Sequence, residues 1–301
     1  MESSFVGIGL PIALAVVMFG LGLSLTVADF RRVVRAPRAL AIILVAQIVV
    51  LPLIAFGLAH VFGLEPLMAV GLMALAASPG GTMASLLSHL FHGDVALNIT
   101  LTAVNSVLAI VTLPIVVNLS LAWFTDSADG IGAQPGKLIS VFAVVLIPVM
   151  VGMAVRARAT AFALRADRPV RIASFIVVTV VLFGALLSED GVVDFLLQAG
   201  AVTALFCVLS LSIGYLLPRL AGLSAAQSIA GGFEIGVHNA ALALAITLTV
   251  LDSTEMSVIP AVYGIIMFPL AAAFGAVVTR VDRGTTREPR PEPGFSSDVR
   301  P

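Results

Sequence analysis

Residues 231–247 read GGFEIGVHNAALALAIT, inside an apolar run from about Leu223 to Leu251. The run has the length of a membrane span, yet its middle holds Glu234, His238 and Asn239. A carboxylate at mid-bilayer costs at least ~2.5 kcal/mol on insertion scales. Gly231, Gly232 and Gly236 weaken the helix where these polar groups fall. Backbone that leaves the helical ladder in lipid must be satisfied by protein or by a water-filled cavity. A broken helix, with free carbonyls and a carboxylate around a cation, meets these conditions. The plainer reading is a buried glutamate hydrogen-bonded to a neighbouring helix.

Composition extends this to the whole chain. Of 301 residues, 59% are hydrophobic and 11% charged, with mean hydropathy +1.12. Soluble domains run at ~45–50% apolar and ~25% charged. The expected fold is an all-α polytopic membrane protein in the lipid bilayer, with no soluble domain and no nucleic-acid partner. Cys207 is the one cysteine, so no disulfide forms within the chain. No serine–histidine–acid grouping or metal cluster is visible, so an enzyme is not expected.

Nine spans are read in order. They are about Phe5–Leu25, Pro37–Phe62, Pro66–Phe91, Val95–Phe124, Lys137–Val155, Val170–Leu187, Val192–Leu217, Leu223–Leu251 and Met256–Thr279. Residues 1–280 form the transmembrane domain. Residues 281–301 carry Pro289, Pro291, Pro293 and mixed charges, and read as a disordered cytoplasmic tail.

Positive charge sets the orientation. Arg31, Arg32, Arg35 and Arg38 lie between spans one and two; Arg156, Arg158, Arg165, Arg168 and Arg171 lie between five and six; Arg219 lies between seven and eight. With nine spans all of these share one side, and only Lys137 falls on the other. The arginine side is cytoplasmic, so the N-terminus is outside, the C-terminus is inside, and the cell (plasma) membrane is the expected location.

A second unusual stretch is SPGGTMAS, residues 78–85. Pro79, Gly80 and Gly81 remove a donor and helical stiffness together. In span four, Asn98, Thr102 and Asn105 are spaced i, i+4, i+7 and share one helix face. Such a stripe faces protein, water or an ion; plain interhelical hydrogen bonding is the bland alternative. The two interruptions stand in spans three and eight, each followed by one more span. Matching interruptions in two halves point to an inverted-repeat transporter with a midplane site. The halves are residues 5–124 and 170–279, joined by a connecting helix at 137–155.

SPGGT, FEIGVHNAALA and the opening MFGLGLSLTVADF (residues 18–30) resemble the bile acid:sodium symporter family. The resemblance covers about Phe5 to Thr279. It implies a core domain with two crossing broken helices, a smaller panel domain, sodium as coupling ion with no other cofactor, and the nine-helix form of the fold. By position it assigns a first sodium site to Ser85, Asn98, Thr102 and Glu234. Ala84 stands here where the family has a serine, Ser85 where it has an asparagine, and Asn98 where it has a serine. A second site would use Gln47, Glu234, the carbonyls of Ile235 and Val237, and residue 238. The family's glutamine is His238 here. Sodium, a hard cation, prefers oxygen to imidazole nitrogen. His238 can donate to Glu234, carry a proton in place of sodium given its ordinary pKa near ~6.5, or be a satisfied buried histidine.

For substrate, half-helix N-termini at the breaks favour an anion. Thr82 and Asn239 are the candidate substrate contacts. The resemblance implies a monovalent organic anion, from pantoate or a 2-oxo acid to amphipathic steroid acids. The resulting expectation is sodium-coupled import by alternating access. Proton coupling through Glu234 and His238 is the alternative, and a channel or non-transporting scaffold is the alternative of another class.

Overall fold

The structure is a computed structural model. It describes residues 36–125, 135–163 and 192–285, with isolated residues of the N-terminal region and of 165–169. The first and sixth expected spans lie largely or wholly outside the described residues, as does the tail beyond residue 285.

The described residues are mostly helical and contain no strand. The helices are α1 (Pro37–Val61), α2 (Pro66–Ala77), α3 (Thr82–Leu90), α4 (Val95–Phe124), α5 (Pro135–Arg158), α6 (Val192–Leu220), α7 (Ala225–Gly236), α8 (Ala240–Thr249) and α9 (Thr254–Thr285). Stretches of α1, α4, α6 and α9 are each long and apolar enough to cross a membrane. The protein is an integral multi-pass membrane protein. Helix α9 continues to Thr285, past the residue where the sequence places the start of the tail.

Local chemistry sets the helix ends. Asp94 caps α4 by accepting from the Leu97 N–H, and Ser224 with Gln227 forms a capping box on α7. Gly63 and Gly222 take positive φ in the turns that close α1 and α6. Pro52 lies just after a π-helical turn at Ala46–Val50, where the Leu51 N–H reaches back to Ala46 O. Proline offers no N–H to the preceding turn, and the wider turn absorbs the mismatch.

Short helices α2 and α7 form the centre, long ones surround them, and α3 faces outward through Leu86 and Leu90. Every residue of α2 from Met68 to Ala77 is buried, as is every residue of α7 from Ser228 to Gly236. Large apolar side chains face outward instead on α1 (Val45, Val49, Leu53), α4 (Val111, Ile115, Leu119) and α6 (Leu205, Val208). This is the arrangement lipid imposes: the breaks lie inside, with helical backbone between them and the hydrocarbon.

The sequence places helix breaks at Gly231 and Gly232, and the structure corrects this. Both sit within α7. Their missing side chains let α7 approach α6, because a Cβ on Gly231 would lie 2.5 Å from Gly214 O. Small residues at such contacts are the usual means of close packing in membranes. The break falls one turn later, after Gly236.

Candidate functional site at the helix crossing

Two interruptions meet at the centre. The first spans residues 78–81, between α2 and α3; the second spans 237–239, between α7 and α8. Extended backbone at Ser78 and Gly81 takes the chain out of the helical ladder. The two breaks pair antiparallel through Gly80 and His238. The Gly81 N–H donates to Val237 O at 2.7 Å, and the Asn239 N–H donates to Pro79 O at 2.8 Å. Each break thus satisfies backbone groups that the other leaves over.

The pairing places two helix C-termini, of α2 and α7, and two N-termini, of α3 and α8, around one point. C-terminal carbonyls favour a cation and N-terminal N–H groups an anion. In α7 the normal donor to Ile235 O is the Asn239 N–H, which is turned to Pro79. The Gly236 carbonyl accepts instead from the Tyr263 hydroxyl at 2.9 Å and lies 3.8 Å from Cys207 Sγ.

Glu234 stands on the last turn of α7 and is fully buried. Its Oε2 accepts from the Thr102 hydroxyl at 2.5 Å. The same hydroxyl lies 3.0 Å from Asn98 O. One proton faces two acceptors, so turning it to Asn98 presents the Thr102 oxygen lone pairs beside the carboxylate. Asn98 is held at both ends of its amide: Oδ1 accepts from the Ser85 hydroxyl at 2.7 Å, and Nδ2 donates to Ala230 O at 3.0 Å. Ser85, Asn98, Thr102 and Glu234 therefore form one connected group from α3, α4 and α7. Ala84 is fully buried and adds no oxygen to it.

Gln47, at the π-turn of α1, approaches from the other side. Its Nε2 donates to Ser78 O at 3.0 Å and lies 3.4 Å from Ala76 O. His238 Nδ1 lies 3.3 Å from the same Ser78 O. A carbonyl only accepts, so in this contact Nδ1 is the donor, and Nε2 has no partner among the described residues. The ring stacks on Phe206 with centroids 5.5 Å apart and 9° between planes, with Tyr263 also 5.5 Å away. The expected donation from His238 to Glu234 is not among the bonds made; the ring serves Ser78. Val237 O, expected as a cation ligand, accepts the Gly81 N–H.

Four buried atoms near the crossing have no hydrogen-bond partner among the described residues: Gln47 Oε1, Asn105 Nδ2, Glu234 Oε1 and His238 Nε2. Buried polar groups are normally satisfied, so this cluster marks a place made for something more than packing. Two of the four atoms are side-chain oxygens from different helices, which suits a hard cation such as sodium. Among the described residues, no group of three His, Cys, Asp or Glu is placed to hold a metal.

The candidate substrate residues stand at the N-terminal ends of α3 and α8. Asn239 is half-buried, and its Oδ1 caps α8 by accepting from the Leu242 N–H at 3.1 Å. Thr82 is the first residue of α3, next to half-buried Gly81. Phe206, Tyr263 and the π-turn carrying Gln47 were not marked by the sequence reading. The available signals were a tyrosine in an apolar span, whose hydroxyl needs a partner, and Pro52 within α1.

The profile of the Sodium Bile acid symporter family matches residues 11–193. The uncharacterized sodium-dependent transporter YocS of Bacillus subtilis (strain 168) is 31% identical over 242 residues, covering 79% of this chain and 73% of that protein. The ileal sodium/bile acid cotransporter of Homo sapiens is 27% identical over 278 residues, covering 88% of this chain and 77% of that protein. The "Probable sodium/metabolite cotransporter BASS1, chloroplastic" of Arabidopsis thaliana is 28% identical over 238 residues, covering 77% of this chain and 57% of that protein. With two mutually paired breaks around a buried carboxylate, and with these similarities, the chain belongs to the sodium bile acid symporter family.

Proposed function

We propose that the protein is a sodium-coupled symporter that imports an organic anion by alternating access. The observation that carries this is Glu234: a fully buried carboxylate with one oxygen unpartnered among the described residues, set among the oxygens of Ser85, Asn98 and Thr102. A cation there would offset the burial of the charge. Relatives named as sodium-dependent or sodium/bile acid transporters support the coupling ion, and a family of transporters accords with a non-enzyme.

The N-terminal ends of α3 and α8, with Thr82 and Asn239, would receive the anion. The cation behind the crossing would supply positive charge that, among the described residues, no arginine or lysine provides there. Loading both ligands would free the core to move against the panel. Nine spans in two inverted halves, with the N-terminus outside, complete this reading. The substrate class is a small or amphipathic carboxylate. Uptake of a panel of such anions into proteoliposomes, with sodium or potassium outside, tests it. Sodium-dependent uptake of one of them is expected; equal uptake in potassium would refute the coupling. His238 Nε2, buried and unpartnered among the described residues, favours a second reading in which a proton replaces sodium. Uptake driven by a pH gradient alone would select it.

A further inference from the structure

The third member of the α4 stripe, Asn105, stands outside the connected group of Ser85, Asn98, Thr102 and Glu234. Asn105 follows Thr102 by three residues and Asn98 by seven, so all three share a face toward α7. It is buried, with 2% of its surface exposed. Its amide stands beside the Glu234 carboxylate. Among the described residues, neither Asn105 Nδ2 nor Glu234 Oε1 has a hydrogen-bond partner. A buried donor and a buried acceptor, neither in a bond of ordinary geometry among the described residues, thus stand close enough to interact.

We propose that Asn105 is an exchangeable ligand of the cation site. This rests on the sodium reading above. An asparagine amide has a donor end and an acceptor end of nearly equal shape, so rotation about its last bond interchanges them. With a cation beside Glu234, Asn105 presents Oδ1 to it. Without one, it presents Nδ2–H to Oε1 and supplies the partial positive charge that the carboxylate loses. Ser85 and Thr102 can turn a hydroxyl proton but keep the same oxygen toward the site, and the Asn98 amide is held at Oδ1 by Ser85 and at Nδ2 by Ala230 O. Asn105 brings a further oxygen to a group where Ala84 brings none.

Sodium titration of thermal stability at pH 8 tests this in the detergent-purified full chain. Asn105→Leu keeps the branching and heavy-atom count and has neither donor nor acceptor. It is expected to raise the half-saturating sodium concentration by about tenfold, the effect of losing one good polar contact to a charge. Asn105→Asp keeps the acceptor and is expected to hold half-saturation at or below the wild-type value while lowering the melting temperature without sodium. A merely structural role would lower both melting temperatures together and leave half-saturation unmoved. Asn105→Ser replaces the leucine variant if that one does not fold, with half-saturation again raised. Half-saturation within about twofold of wild type in Asn105→Leu or Asn105→Ser, or a loss in Asn105→Asp equal to that in Asn105→Leu, overturns the assignment of Asn105 alone. No sodium effect on the wild type overturns the sodium reading itself.

Discussion

Gly80 lies directly against the Glu234 carboxylate: a Cβ at residue 80 would overlap both carboxylate oxygens and the carbon between them. At Gly81, a Cβ would meet nothing closer than the His238 and Val237 carbonyls at 3.4 Å, an ordinary contact. Two adjacent glycines thus have different reasons to be there. Gly80→Ala is expected to displace the carboxylate and abolish sodium stabilisation, with Gly81→Ala retaining it. Equal sodium responses in the two variants would contradict this placement of Glu234.

Thr102→Val keeps the shape and removes the hydroxyl that donates to Glu234 Oε2. A buried acceptor stripped of its donor costs ~1–3 kcal/mol, more when charged. The variant is expected to be less stable by that amount without sodium, and to need more sodium for half-saturation. Unchanged stability in a denaturation series would show that the hydroxyl bond contributes nothing.

Helix packing gives a test independent of ions. Gly231→Ala drives a methyl onto Gly214 O and against Ile43, an overpacking expected to cost ~1–3 kcal/mol. Gly57 and Gly200 lie within helices, and a Cβ there would meet nothing within 4 Å. Gly57→Ala and Gly200→Ala are expected to be neutral or to stabilise by up to ~1 kcal/mol. The order of the three melting temperatures checks this directly; Gly231→Ala at or above the other two would refute the close approach of α6 and α7.

These contrasts show what the sequence makes legible and what it hides. Pro79 removes a donor wherever it sits, so the first break could be placed to the residue. Glu234 in an apolar run demanded an explanation, and the i, i+4, i+7 stripe gathered Asn98, Thr102 and Asn105 on one face. Glycine is ambiguous: a missing side chain loosens a helix and equally lets another helix approach. Gly231 and Gly232 do the second, and only Gly214 across the interface distinguishes the cases. The partner of His238 was hidden for a related reason. Ser78 O is a backbone atom 160 residues away in the chain, and no side-chain pattern announces a carbonyl.

Asn239→Ala removes the oxygen that caps α8. A lost N-cap costs ~1 kcal/mol. If Asn239 also contacts the anion, the KM for uptake rises in Asn239→Ala and rises further in Asn239→Asp, since aspartate caps equally well but repels an anion. The expected order of transport is wild type, then alanine, then aspartate. Aspartate at or above alanine would place the anion elsewhere.

The most direct measurement is the melting temperature of the purified protein in sodium against potassium, for the wild type and for Glu234→Gln. A ligand bound only by the folded state adds ~RT ln(1 + [L]/Kd), about 2.7 kcal/mol at a hundredfold excess over Kd. A sodium-specific rise in the wild type that vanishes in Glu234→Gln is the predicted result. Identical melting in the two salts, or a rise that persists in Glu234→Gln, would contradict the assignment of Glu234 as the centre of a sodium site.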